Sequence, residues 1–523
     1  MRGGFGVILL AALLTVCFFG CADGDVIRMD IEGPVENLDP QFATDPDSRM
    51  ILGNLMEGLL VKGPDGELLP GAAKSWEVSA DGLTYTFTLR EDAAWEENEP
   101  LTARHFVFAF ERIFNPKALS PFAEDYAVIE GGEEILAGEA TLKRLGVSSP
   151  DGHTVIFKLR RPSAVFAELL AETPALPCNE EIYNEAKGRY GLAIEYVYSN
   201  GPFILSRWDN TRYLYLTPNP GYGGEYRALP GRVTLYIGRE DPVGQFFAGN
   251  SDLVYLSGAD ISRAEEDAEL IPLERTVWCV VFNGGRDAFR NALLRQALSL
   301  TADREALSQV LPANLTVTGV FAPPGMRAGA LDYRDKAGYG YPLEYDPGRG
   351  KELYDRALDI LELGRMPHTV FHIPESGRHG DYMKIITEGW RRTLGAEVVF
   401  EQRTGAELEE ILRTGEYRMM LFPFTPAAGS PGVLLGAFGS NSGQNYFGYQ
   451  NSRFDESLAS AAAEETEEGA AERFREAEEQ LLFDAGIIPL YFETGGEALA
   501  KGLTGVEVPQ FGGQIRFWSA QKE

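Results

Sequence analysis

Cysteine is nearly missing from this chain: there are four in 523 residues, and two of them, Cys17 and Cys21, fall in the first 21. The other two, Cys178 and Cys279, are far apart and part of no Cys-x-x-Cys pair. A disulfide-stapled scaffold, a redox motif and cysteine zinc spacings are therefore excluded, and two buried thiols are expected rather than one bridge. Histidine is equally scarce, with five in all. His105 is expected on the polar side of a helix. His368 and His372 bracket a short strand, roughly 13 Å apart if it is extended, which is awkward for joint metal ligation. No HExxH, Walker loop or nucleophile elbow is present, so no catalytic arrangement, metal or cofactor is expected and the chain reads as a non-enzyme. Positive charge is short as well, 47 Lys and Arg against 78 Asp and Glu, for a net −31. Such a surface repels nucleic acid phosphates and anionic lipid headgroups, and no Lys/Arg-rich run opposes that. Nucleic acid is thus excluded as a partner. The acidic run Glu464–Glu468 has no calcium-loop spacing and is read as a solvated linker.

One apolar run stands out, Phe5–Phe19, after Arg2 and before Gly20-Cys21. It is short for a membrane span and fits a secretion signal. The arrangement resembles the bacterial lipoprotein signal, which implies cleavage before Cys21 and lipid attachment there. Phe18 departs from the Leu usual at its position and Phe19 is bulky, so an ordinary signal peptide or an uncleaved anchor stays open. Beyond this leader the length suits two or three domains, and 44% hydrophobic residues supply their cores.

The most patterned stretch is Leu68–Ile113. Ser79-Ala80-Asp81-Gly82 separates a Trp76-bearing strand from a second strand in which Leu83, Tyr85, Phe87 and Leu89 face one way and Thr84, Thr86 and Thr88 the other. Thr102 is placed to cap a helix carrying Phe106, Phe110 and Ile113. The order Pro70, Ala73, Ser75-Trp76, Ser79, Asp81-Gly82, Tyr85, Phe87, Leu89-Arg90, Trp95, Pro100, Thr102-Ala103, Phe106 resembles the extracytoplasmic solute-binding proteins of the oligopeptide/dipeptide/nickel class. Asn98 and His105 stand where that class has Gly and Asp. Further blocks agree with it: Ser199-Asn200-Gly201 to Trp208, Asn219-Pro220 with Tyr222, Asn291 to Arg304, Tyr345-Asp346-Pro347, and Ile488-Pro489-Leu490-Tyr491.

The resemblance implies an α/β, two-lobed binding-protein fold of the large type, with mixed sheets, an extra small subdomain and hinge crossings between lobes. Residues 1–20 would be the signal peptide and 21–25 the lipidated cysteine and tether. Lobe I would take 26–60 and 180–275, the small subdomain 61–179, lobe II 276–490, and 491–523 would return to lobe I. The implied function is capture of a solute, an oligopeptide first of all, and its delivery to an ABC permease and ATPase complex by an exported monomer held to the membrane by a lipid. A non-peptide solute, or a signalling or scaffold role on the same fold, remains the alternative. The implied ligand-binding residues are Trp278, Cys279, Phe424, Thr425, Ala427, Tyr491, Phe492 and Glu493. The turn Asn37-Leu38-Asp39-Pro40 either edges the cleft or is a plain turn. One departure has chemical weight. Ala427-Ala428 replaces the Asp-Tyr that holds a peptide's amino group in the peptide-binding members, and Arg418 replaces another usual Asp. The cleft is therefore expected not to read a free amino terminus in the usual manner, unless another carboxylate such as Glu493 substitutes.

Overall fold

The computed structural model describes residues 25–523, apart from 64, 65, 164, 165, 265, 266, 376, 427, 428, 465, 512 and 513, with side chains also left undescribed at 259, 262 and 275. The expected signal peptide and lipid attachment at Cys21, and Ala427, fall outside the described residues. Two long strands organise the rest. Ala268–Phe282 and Ile487–Ala500 pair antiparallel along almost their whole length, from Ala268 opposite Ala500 to Val281 opposite Ile487. At one end their ladder is flanked by Leu253–Leu256, and beyond it by Val26–Ile31, Arg232–Ile237, Tyr213–Pro218 and Phe203–Asp209. At the other end Met419–Phe424 pairs with the first long strand, followed by Thr369–Pro374 and Val398–Arg403. Leu315–Val317 adds to the second long strand off this path. The eleven strands are one hydrogen-bonded sheet, but its two ends have separate cores.

At the first end, Ile27, Leu214, Leu235 and Leu253 pack with Leu55, Phe87, Phe157 and Phe517 in one core. The small four-stranded sheet (Ala73–Val78, Thr84–Leu89, Thr154–Lys158, Val147–Ser148) shares that core. Its central strand behaves as its alternation demands: Tyr85, Phe87 and Leu89 are buried and the threonines between them half-buried. At the other end the sheet is covered on both faces. Val277, Cys279 and Val281 join one core with Phe424, Phe438 and Phe474, while Trp278, Val280 and Phe282 join another with Phe371, Trp390 and Tyr491. Two lobes with independent interiors are thus joined by two continuous strands. Their ladder loses register between Glu274 and Thr276, and again between Trp278 and Cys279.

Some expectations need correction. Both long strands extend into lobe I well beyond the apolar segments 276–282 and 487–492 that mark them in the sequence, because the main-chain ladder continues where the apolar pattern stops. The acidic run is not all linker: Thr466 caps Glu467–Phe483, and Glu467 and Glu468 occupy the first turn, where the helix dipole favours them. His105 is buried rather than on a polar face. Its Nδ1 accepts from Trp95 Nε1 (3.1 Å) and Thr102 N (3.0 Å), closing the helix N-terminus. Asp39 is also buried, in an ion pair with Arg112, which further bonds Gln41 Oε1 (2.5 Å). Cys178 and Cys279 are free, buried thiols.

One buried carboxylate fixes the loop that lobe II sends toward lobe I. Glu478 Oε1 accepts from the amides of Phe321 and Ala322, both at 2.8 Å, and Oε2 accepts from the Tyr333 hydroxyl at 2.8 Å and from Arg334. Replacing Glu478 by Leu strands a buried guanidinium and two amides. Urea unfolding should show a loss of about 3–5 kcal/mol; a loss under 1 kcal/mol would mean the network is not holding the loop.

Candidate functional site

A cavity of about 540 Å³ lies between the lobes. On the lobe I side the small subdomain, which shares the lobe I core, supplies Lys62, Gly66, Glu168 and Glu172, and the returning C-terminal segment supplies Glu507, Phe511, Gln514 and Arg516. Lobe II supplies Gly325, Arg327 and Gly329 from the loop that Glu478 anchors, and Gly429 from beyond Phe424. Arg327 N donates to Gly429 O at 2.7 Å, so the two lobe II segments form one wall. The lobes approach closely: a Cβ on Gly66, whose φ is +82°, would stand 3.1 Å from Arg327 Cδ. One on Gly325, at φ +80°, would stand 3.3 Å from Gln510 Cγ. The positive φ favours glycine at both positions, and a Cβ there would press on the side chain across the gap.

The lining charges are partly satisfied within lobe I. Lys62 pairs with Glu172, Arg516 donates to Lys62 O and lies 3.5 Å from Glu507 Oε2, and Gln514 Nε2 donates to Thr173 Oγ1 at 2.6 Å. Burial pulls the Lys62 ammonium toward neutrality, but Glu172 beside it outweighs that and the Lys62 pKa rises. Burial raises the Glu168 pKa against the opposing pull of Lys62. Glu168 Oε1, Arg327 Nε and Arg516 Nε are buried without a hydrogen-bond partner. The other oxygen and nitrogens of these groups are engaged nearby: Glu168 with the Gly329 backbone across the gap, Arg327 with Ala330 O and Arg516 with Lys62 O.

Among the described residues, none of those implied by sequence resemblance lines this cavity; they lie on the long strands and at the end of Met419–Phe424 beside them. Trp278 donates from Nε1 to Glu493 Oε2 (2.7 Å), and its ring lies 4.0 Å from that of His379, which bonds the Tyr491 hydroxyl through Nδ1 at 2.6 Å. This group sits on one face of the sheet. Cys279, Phe424 and Phe492 sit on the other, where Phe424 packs against Phe321, Phe438 and Phe447. Phe511 of the cavity joins that same core, so Phe424 supports the wall from behind. Thr425 Oγ1 meets Thr276 Oγ1 at 2.8 Å where the strands cross between lobes. Arg418 pairs with Asp287 at the exposed surface. Lys62, Glu168, Arg327 and Arg516 were not marked by any motif. Each is an isolated charge among glycines or short helices, with Lys62 and Arg516 454 positions apart.

Comparison with known proteins adds to this geometry. The family model described as bacterial extracellular solute-binding proteins, family 5 middle, matches residues 67–446. The dipeptide-binding protein DppE of Bacillus subtilis is 25% identical over 473 residues, covering 89% of this chain and 86% of its own. A probable deoxycholate-binding periplasmic protein, YgiS of Escherichia coli, is 26% identical over 493 residues, covering 90% and 89%. Among solved structures, the pheromone receptor PrgZ, described with its mode of peptide binding, superposes with a TM-score of 0.75 at 22% identity over 96% of this chain and all of that one.

The His379 cluster yields a pH prediction. Burial pushes the His379 pKa down to about 4. An unfolded histidine titrates near 6.5, so between those values only the unfolded chain takes up this proton and stability falls as pH falls. The stability advantage of the native chain over His379→Gln should shrink by about 3 kcal/mol from pH 7 to pH 4. Denaturant curves at several pH values measure it, and a gap that stays constant would refute the assignment.

Proposed function

Because the chain belongs to the bacterial extracellular solute-binding proteins of family 5, we propose that it captures a peptide in the interlobe cavity and hands it to an ABC importer. The observation that carries this reading is an interlobe cavity lined by carboxylates and cations, Glu168 and Glu172 with Lys62, Arg327 and Arg516, between glycine-bearing walls. A zwitterion with a backbone between its charges suits such a site. Glu168 would take the ligand's ammonium in place of the aspartate missing at 427–428, and Arg327 with Arg516 its carboxylate. Glu493 is already engaged with Trp278. The two named relatives bracket the ligand question, one being a dipeptide binder and the other a probable deoxycholate binder.

The finer features belong to the same reading. Lobe II spans 276–490, and the lobes close about the register shift near Glu274 and Thr276, with no chemistry done on the guest. The chain works as an exported monomer, anchored by lipid at Cys21 on the outer side of a bacterial membrane.

Titration calorimetry with a panel of short peptides tests the proposal. A free-amine peptide should bind the native protein, and Glu168→Gln should weaken it by about 1.5–3 kcal/mol, the worth of one charge-assisted hydrogen bond. The amino-acetylated peptide should bind both proteins equally. Absence of peptide binding overturns the substrate class; binding indifferent to Glu168→Gln overturns the assigned carboxylate.

A further inference from the structure

The outer face of the lobe I sheet carries a feature that solute capture does not use. Along Tyr213–Pro218, Leu214 and Leu216 enter the core while Tyr213, Tyr215 and Thr217 face outward, half-buried. The Tyr213 and Tyr215 rings stack at 4.9 Å. Arg207 lies over Tyr213 (5.4 Å) and Arg232 over Tyr215 (4.8 Å). On the same face Arg28, Arg212 and Arg239 are each neutralised by an aspartate: Asp252, Asp209 and Asp30. Among the described residues Arg207 and Arg232 meet no carboxylate, and Arg232 Nε is buried without a partner. The helices Pro242–Phe247 and Ala259–Ala264 cover the outer face over Val254, Leu256 and Ala498, leaving this arginine–tyrosine strip open.

We propose that this strip rests on the anionic headgroups of the membrane that carries the protein. Three observations converge. Two uncompensated guanidinium groups face outward on a chain of net charge −31, and guanidinium suits phosphate. At physiological salt screening acts over about 8 Å, so the facing strip, not the remote acidic surface, sets the interaction. Tyrosine and arginine, apolar in the body and polar at the tip, suit a headgroup layer. Finally, Val26 opens the first strand directly beside Arg232, so the leader joins the fold at the edge of this strip. The proposal rests on the lipid anchor at Cys21: from there to Val26 the chain reaches at most about 17 Å, which holds the strip close to the bilayer.

The test uses the chain from residue 22 with an N-terminal hexahistidine held on nickel-chelating vesicles, so it is independent of native acylation. A donor dye at Thr217→Cys reports energy transfer to rhodamine lipid; the native thiols are buried. Transfer should be stronger on phosphatidylglycerol than on phosphatidylcholine vesicles. Arg207→Ala with Arg232→Ala should lower the ratio of strip-down to strip-away molecules by about 30-fold, roughly fivefold per arginine. The paired lysine substitutions should retain most of the transfer, which separates charge from misfolding. Equal transfer on both lipids, or transfer unchanged in the alanine pair, would overturn the proposal.

Discussion

The antiparallel ladder between Ala268–Phe282 and Ile487–Ala500 is the constraint on which the other parts depend. A main-chain ladder through both lobes leaves them no freedom to separate, since parting them would strip amides and carbonyls of their partners. It does leave freedom to bend. Where register is lost between Glu274 and Thr276, the strands are already unevenly paired, and a change of twist there breaks the fewest bonds. The side chains at that level, Thr276 against Thr425 and Thr494 against Glu274 at 3.3 Å, are polar and not packed in an apolar core. In the proposed closure such a joint would convert small rotations into opening and closing of the cavity farther out, while each lobe kept its own core intact.

Rigidity is concentrated behind the cavity rather than in it. Glu478 spends all its acceptor capacity on the segment that presents Gly325 and Arg327, and Phe424 and Phe438 back the same wall with tilted rings 5.7 Å apart. Arg295, buried with donors on Phe289 O, Asp484 O and Ala485 O, pins the start of the second long strand from another side. The charges that face the cavity are by contrast left partly unpaired. A site pre-shaped by its supports and unsatisfied in its lining is at its lowest free energy with a guest inside.

The fold was legible in the sequence wherever a period of two met a single buried face, as in Thr84–Leu89, and wherever turn residues punctuated it. It was half legible in the long strands. Thr276–Phe282 is apolar on both faces because two cores sandwich it; Ala268–Glu274 and Glu493–Ala500 carry charges and glycines because their setting is different, and a pattern search stops there. His105 was misplaced since nothing in its neighbours reveals that its ring nitrogen closes a helix and receives an indole. The site was the least legible part. Residues such as Trp278 and Tyr491 belong to the ladder and pack in its core, so local pattern marks them. Lys62, Glu168, Arg327 and Arg516 are brought together only by the closed fold, and no local physical rule ties one to the next.

That separation bears on the missing aspartate. Recognition of an ammonium needs a carboxylate at a point in space, not at a point in the chain. In the proposed assignment the carboxylate moves from the lobe II segment around 427–428 to Glu168 of lobe I, while Arg327 stays in lobe II. Arg516 on the lobe I side holds part of the guest's carboxylate, but a guest that bridges Glu168 and Arg327 is bound fully only when the lobes meet. Its affinity for the closed state exceeds that for the open one by whatever the second contact contributes, and that difference alone shifts the equilibrium toward closure. Had both charges stayed in one lobe, a guest could bind tightly without favouring closure. Distributing them across the joint couples occupancy to shape, which is what a carrier needs if an importer is to distinguish loaded from empty.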